Sequence, residues 1–175
     1  MKALVVYESL FGNTEQVARA VATGLRGRLD VELVEVGDAP AEIPPATDLV
    51  VVGGPTHAFS MTRPNTREDA VHQGATHDPA TGIREWLAQL QAGPHAERVA
   101  TFDTRVDKVR HLPGSAAKKA ARAAHRKGFD TAAKAESFYV EDINGPLVEG
   151  ELDRAQAWGE RLAAEALTRT ARPAT

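Results

Sequence analysis

The stretch YESLFGNTEQVA, residues 7–18, gathers the residues of this chain best suited to chemistry. Ser9 and Thr14 supply hydroxyls, Gly12 lets the backbone approach a ligand closely, and Asn13 can cap a following helix whose third residue, Gln16, can reciprocate. The free N–H groups of such a helix end carry a partial charge of about +0.5 and favour an anion. SLFGNT contains no Lys or Arg, so a phosphate bound there is held by neutral donors. An ordinary capped turn is the competing reading. The turn has neither the G-x-x-x-x-G-K-[ST] nor the G-x-G-x-x-G pattern, which argues against ATP and NAD. Ser9 lies in ESLFG rather than in a G-x-S-x-G elbow, so nucleophilic catalysis has little support. His72, His77 and Asp78 have neither the spacing nor a third fixed ligand for a metal, and neither a metal nor a catalytic side chain is expected.

These residues must be positioned by the elements around them. KALVVY (2–7), VELVEV (31–36), DLVVVGG (48–54), RVATFD (98–103) and ESFYVE (136–141) read as strands bounded by turn residues. Helical periodicity lies between them: Val17, Val21 and Leu25 share one face, Ile83, Trp86, Leu87 and Leu90 another, and Leu152, Trp158, Leu162 and Leu167 hint at a last helix. GSAAKKAARAAHRKG reads as an Ala-rich helix capped by Gly128. Strands 2–7 and 48–54 are apolar on both faces, as strands inside a parallel sheet are. The pattern predicts an α/β fold: a three-layer, doubly wound sandwich with a five-stranded parallel sheet. The first turn then falls at the carboxyl edge of the sheet, where ligands of open α/β sheets bind. Residues 60–82 exceed a usual connection; NTREDAVHQG can form a short helix there, capped by Asn65 or Thr66 and ended at Gly74, either covering a ligand or standing as a surface excursion.

At 175 residues and 42% hydrophobic content the chain fits one domain, over 1–170, with 171–175 as a short flexible tail. No cysteine is present, so disulfides, thiolate metal sites and Cys nucleophiles are excluded. The amino-terminal apolar run is too short for a signal peptide and no stretch can span a bilayer, so a cytoplasmic protein without a membrane partner is expected. A net charge of −3 argues against nucleic acid as a partner. The charge is uneven, however: residues 105–127 hold eight Lys and Arg against one acid, Asp107.

YESLFGNTEQVA strongly resembles the phosphate loop of flavodoxin-like proteins, in which a Ser/Thr-rich turn ending in Gly-Asn-Thr wraps the 5′-phosphate of FMN. VVGGPTHAFSMTRP resembles the second flavin loop, TFDTRVDKVRHLPGS stands where the third would be, and INGPLVEGELDRAQAWGERLA is similar to the last loop and helix of some members. The resemblance implies the strand order 2-1-3-4-5 and FMN as cofactor. It implies that Ser9, Leu10, Phe11, Gly12, Asn13 and Thr14 surround the phosphate, that Pro55, Thr56, His57 and Ala58 line the ring and ribityl chain, and that Asp103, Thr104 and Arg105 approach the ring's other edge. His57 then stacks on the ring, hydrogen-bonds to it or passes it a proton; simple packing in a polar turn is the alternative.

Two departures modify that expectation. The third loop has no Phe, Tyr or Trp between Asp103 and Gly114, leaving His57 and Phe59 on one side only. Each missing stacking partner is worth on the order of 1 kcal/mol, so FMN binding is expected to be weaker than in electron-carrier flavodoxins. Cations near the ring stabilise the negatively charged reduced flavin, and each tenfold of stabilisation raises a one-electron couple by about 59 mV. Electron transfer between FMN and a redox partner protein or a small acceptor such as a quinone is the expected function. A flavodoxin-fold binding or regulatory module without firm FMN binding is the alternative, and an interaction protein using its basic helix on an anionic partner is a third reading. The ordinary reading of the basic run is a solvated face of the Ala-rich helix.

Overall fold

A computed structural model describes residues 1–77 and 80–170, with side chains described to 168. Asp78 and the predicted tail 171–175 lie outside the described residues. Strand β1 (Lys2–Tyr7) lies inside the sheet, as side chains apolar on both faces require, and it pairs in parallel with β2 (Asp30–Glu35) on one side and β3 (Thr47–Pro55) on the other. β3 pairs in parallel with β4 (Arg98–Val106). The fifth position is divided: β5 (Asp130–Thr131) pairs with Arg98 and Val99, and β6 (Glu136–Val140) continues along Phe102–Val106. The expected order 2-1-3-4-5 is therefore observed, with the last strand in two pieces.

Strand alternation sorts the core into two layers. Ala3, Val5 and Tyr7 face helices α1 (Asn13–Arg26) and α5 (Glu151–Thr170), whereas Leu4 and Val6 share the opposite layer with residues of α3 (Ile83–Gln89) and α4 (Ala116–Lys127). In the first layer Phe102, Phe138 and Trp158 meet edge to face, with centroids 6.0–6.1 Å apart. Leu152, expected in the last helix's apolar stripe, keeps the helical spacing to Ala155 but is exposed in the first turn of α5; the buried stripe is Ala155, Trp158, Leu162 and Ala163.

The excursion carries α2 (Pro64–His72), so a short helix forms where NTREDAVHQG suggests one. Its cap differs from expectation. Arg63 is the N-cap, Pro64 opens the helix, and Thr66 sits inside the first turn with its hydroxyl oxygen accepting the Arg63 N–H at 2.8 Å. Proline at the first helical position explains the shift, since its fixed φ suits the helix and no donor is lost. No described helix is long and apolar enough to cross a membrane.

Candidate functional site

At the carboxyl edge of the sheet the loops after β1, β3, β4 and β6 surround a cleft of about 250 Å³. Its walls include Leu10, Phe11, Asn13 and Thr14 from the first loop and the start of α1, Pro55 to Ala58 from the end of β3 and the loop after it, and Thr104 and Arg105 from the end of β4. Ten of the thirteen predicted site residues thus converge across large sequence separations. Ser9, Gly12 and Asp103 stand outside the lining.

Each of these three has a structural task next to the cleft. Gly12 is the N-cap of α1 in the left-handed conformation, φ 83°, which favours glycine. Asn13 is therefore the first helical residue, and the side-chain cap predicted for it does not form. Ser9 Oγ instead accepts the Glu15 N–H at 3.2 Å, so one hydroxyl of the loop already serves the helix end. The backbone N–H groups of Leu10, Phe11, Gly12, Asn13 and Thr14 donate to no described acceptor. Five consecutive open donors at a helix amino terminus, beside a threonine hydroxyl, form a donor set suited to an anion.

Asp103 is completely buried behind the wall. Its Oδ2 accepts from Thr56 Oγ1 at 2.8 Å, from Ser115 Oγ at 2.5 Å and from the Ala117 N–H at 3.0 Å. Thr56 Oγ1 in turn accepts the Ala116 N–H at 2.8 Å. Asp103 thus ties the amino end of α4 to the second loop, where a carboxylate complements the helix dipole. The first turn of α1 and the end of β4 are joined by Thr14 Oγ1 and Thr104 Oγ1, 2.7 Å apart.

Arg105 is buried, and its Nη2 donates to the carbonyls of Val109 at 2.8 Å and Leu112 at 3.2 Å, which shapes the third loop. Of the eight cations in 105–127, Arg105 alone lines the cleft among the described residues. His57 forms one end of a tight turn with Ser60, its N–H donating to Ser60 O and its carbonyl accepting the Ser60 N–H, each at 3.0 Å. Ala58 and Phe59 both have positive φ in that turn, 46° and 59°. Such non-glycine strain concentrates at functional loops. Burial lowers the His57 pKa below the usual imidazole value, so the ring is neutral at pH 7. Phe59, expected beside the ligand, points to solvent.

The excursion forms part of the site. Thr66, Asp69, Ala70 and Gln73 of the α2 region line the cleft, and Thr76 N–H reaches the Leu10 carbonyl at 3.0 Å. A buried polar cluster clamps it to the sheet: Glu8 accepts from Thr62 Oγ1 at 2.5 Å and from the Ile83 N–H at 2.9 Å, while Arg67 donates to Thr62 Oγ1 at 3.1 Å and to Glu85 at 3.2 Å. Val106, Val140 and Ile143 complete the lining. Sequence reasoning missed Asp69, Gln73 and Ile143. The length of the excursion was the one signal for the first two.

The Flavodoxin family model matches residues 5–74. Solved structures of similar fold include a flavodoxin from the domain Archaea, 19% identical with a TM-score of 0.64 over 95% of this chain and 99% of that one. Flavodoxin 1 from Bacillus cereus is 16% identical with a TM-score of 0.64, covering 96% and 98%. The Streptococcus pneumoniae TIGR4 flavodoxin is 18% identical with a TM-score of 0.62, covering 94% and 99%. No curated protein matches the sequence.

Proposed function

We propose, from the premise that this chain belongs to the flavodoxin-like family, whose cofactor is FMN, that it transfers electrons through FMN held at the carboxyl edge of its sheet. The donor set fits the group. The open N–H groups of Leu10 to Thr14 and the Thr14 hydroxyl hold the phosphate with no cation required. Pro55 to Ala58, Thr104 and Arg105 hold the remainder, with neutral His57 as the flat surface on the second loop and Phe11 across the first. FMN supplies the capacity to take and give electrons singly or in pairs. The protein positions it, and α2 restricts solvent at one wall. Electrons pass between this site and a redox partner or a small acceptor such as a quinone.

The run of five unpaired main-chain donors carries this reading, because Leu10 and Phe11 of the loop extend the open N–H groups of the helix end into one continuous set beside the cleft. FMN fluorescence titrated with micromolar protein is the test. Quenching that saturates at one equivalent is expected, as is weakening by Thr14→Val. Unquenched flavin at every protein concentration would favour instead a module that keeps the fold without the cofactor.

A further inference from the structure

We propose that the outer face of α4, together with the apolar rim of the cleft, docks the acidic surface of an electron-exchanging protein; the inference rests on the FMN reading above. α4 contains no acidic residue. Lys118, Lys119, Arg122 and Arg126 are exposed, and their side chains make no ion pair or hydrogen bond among the described residues. Lys127 differs, since its ammonium is engaged by the carbonyls of Ala88 and Leu90. With 21 cations and 24 acids in the whole chain, residues outside 105–127 carry 13 cations against 23 acids. The positive charge is therefore segregated onto one face of an otherwise acidic molecule, which steers and orients a partner rather than raising general affinity for anions.

The basic face is continuous with the proposed redox site. Gly114 packs so closely on the second loop that a Cβ there would lie 2.6 Å from Phe59 Cβ, and the next turn of chain begins α4 with the Ala116 N–H on Thr56. From Lys118 to Arg126 the face runs about 12 Å along the helix. Three of the six exposed large apolar residues among the described residues stand about the cleft: Ile143 in its lining, Phe59 next to the lining residue Ala58, and Leu112, whose carbonyl accepts from Arg105, each 45% to 51% exposed. Apolar area at the centre with charge at the edge is the anatomy of a protein interface. The acids near the mouth, Asp69 of α2 and Glu141 and Asp142 of the loop after β6, fix the orientation of the partner's charge. A long polyanion such as nucleic acid has no use for the apolar rim and is repelled by the remaining surface. A small acceptor does not span α4.

The test uses a reduced acidic plant-type [2Fe–2S] ferredoxin as the probe, giving one electron per molecule to the oxidised FMN-loaded protein in stopped flow. The second-order rate is expected to fall about tenfold or more between about 50 and 500 mM NaCl. It is also expected to be about tenfold slower at low salt in the quadruple variant Lys118→Glu, Lys119→Glu, Arg122→Glu, Arg126→Glu, with a smaller loss in the corresponding four-Gln variant. FMN affinity should change less than about twofold, because none of the four residues lines the cleft. A parallel titration of the flavin-free, ¹⁵N-labelled protein with ferredoxin should shift amides at 59, 112 and 118–126. That arm stands even if FMN fails to bind, so the two readings fail separately. Salt-independent rates, equal rates for wild type and variant, no shifts, or shifts on adding duplex RNA that exceed those with ferredoxin would each overturn the proposal.

Discussion

Thr14 Oγ1 and Thr104 Oγ1 share a hydrogen bond of 2.7 Å although 90 positions separate them in the chain. One hydrogen of the pair is used between the two residues, which leaves the other hydroxyl hydrogen available for a ligand at the mouth of α1. Thr14→Val keeps the shape and removes the donor. A lost hydrogen bond to a charged group is worth about 1.5–3 kcal/mol, so the FMN dissociation constant should rise roughly 10- to 100-fold in a fluorescence titration. Thr104→Val should weaken binding less, and the double variant should fall short of the sum, since both substitutions break one pair. Strict additivity would show that the two hydroxyls act independently.

Asp103 organises the site from behind. Replacing it by Ala abandons the hydroxyls of Thr56 and Ser115 and the Ala117 N–H at a fully buried position, at a cost of about 3 kcal/mol. Asp103→Asn retains an oxygen for the same three donors and removes a buried charge whose second oxygen, Oδ1, has no partner, so a loss of about 1 kcal/mol or less is expected. Urea unfolding of the two variants checks the order, and an Asn variant as unstable as the Ala variant would mean that the charge itself holds α4.

The order of the sheet and the convergence of the loops were legible because they depend on patterns the sequence displays: apolar runs, alternation and a Gly-Asn-Thr turn at a strand-to-helix junction. What escaped has physical reasons. The side-chain cap expected of Asn13 is replaced by a left-handed Gly12 and a backward contact from Ser9, a choice between local options of similar energy. The family resemblance implied that Asp103 contacts the ligand, yet its hydrogen-bonded position behind the wall depends on Thr56 and Ser115 arriving from the loop after β3 and the start of α4. Asp69, Gln73 and Ile143 line the cleft because of how α2 and the last loop fold over it, and no local spacing announces that.

Close packing of α1 on α5 was equally hidden. A Cβ on Gly24 would overlap the Gln156 carbonyl oxygen and one on Gly159 would overlap Val21 O, so the two helices touch backbone to backbone. Alanine at either position gains up to about 1 kcal/mol of helix propensity but forces the helices apart, which costs about 1–3 kcal/mol or more where backbone cannot move. Both Gly24→Ala and Gly159→Ala should therefore lower stability by about 1–2 kcal/mol in chemical denaturation. Because α1 begins at the loop proposed to hold the phosphate, FMN binding should weaken along with it. Unchanged or increased stability would show that propensity outweighs the contact.

Glu8 makes folding sensitive to pH. Burial raises its pKa above the ordinary carboxyl value of 4.5, in opposition to the hydrogen bonds from Thr62 and Ile83 and to the charge of Arg67, all of which lower it. A carboxyl whose pKa is raised on folding binds more protons in the native state, so its contribution is fully present below pH 4.5 and is lost as pH rises through the native value. Glu8→Gln removes the titration while its amide oxygen still accepts from Ile83 N–H and its amide nitrogen donates to Thr62 Oγ1. Arg67 keeps Glu85 at 3.2 Å. The stability of Glu8→Gln relative to wild type should therefore improve steadily from about pH 4.5 upward and level off once wild-type Glu8 is ionised. Urea denaturation at a series of pH values measures that difference, and a difference that stays flat, or one that moves in favour of wild type as pH rises, would show that Arg67 and the two hydrogen bonds outweigh burial.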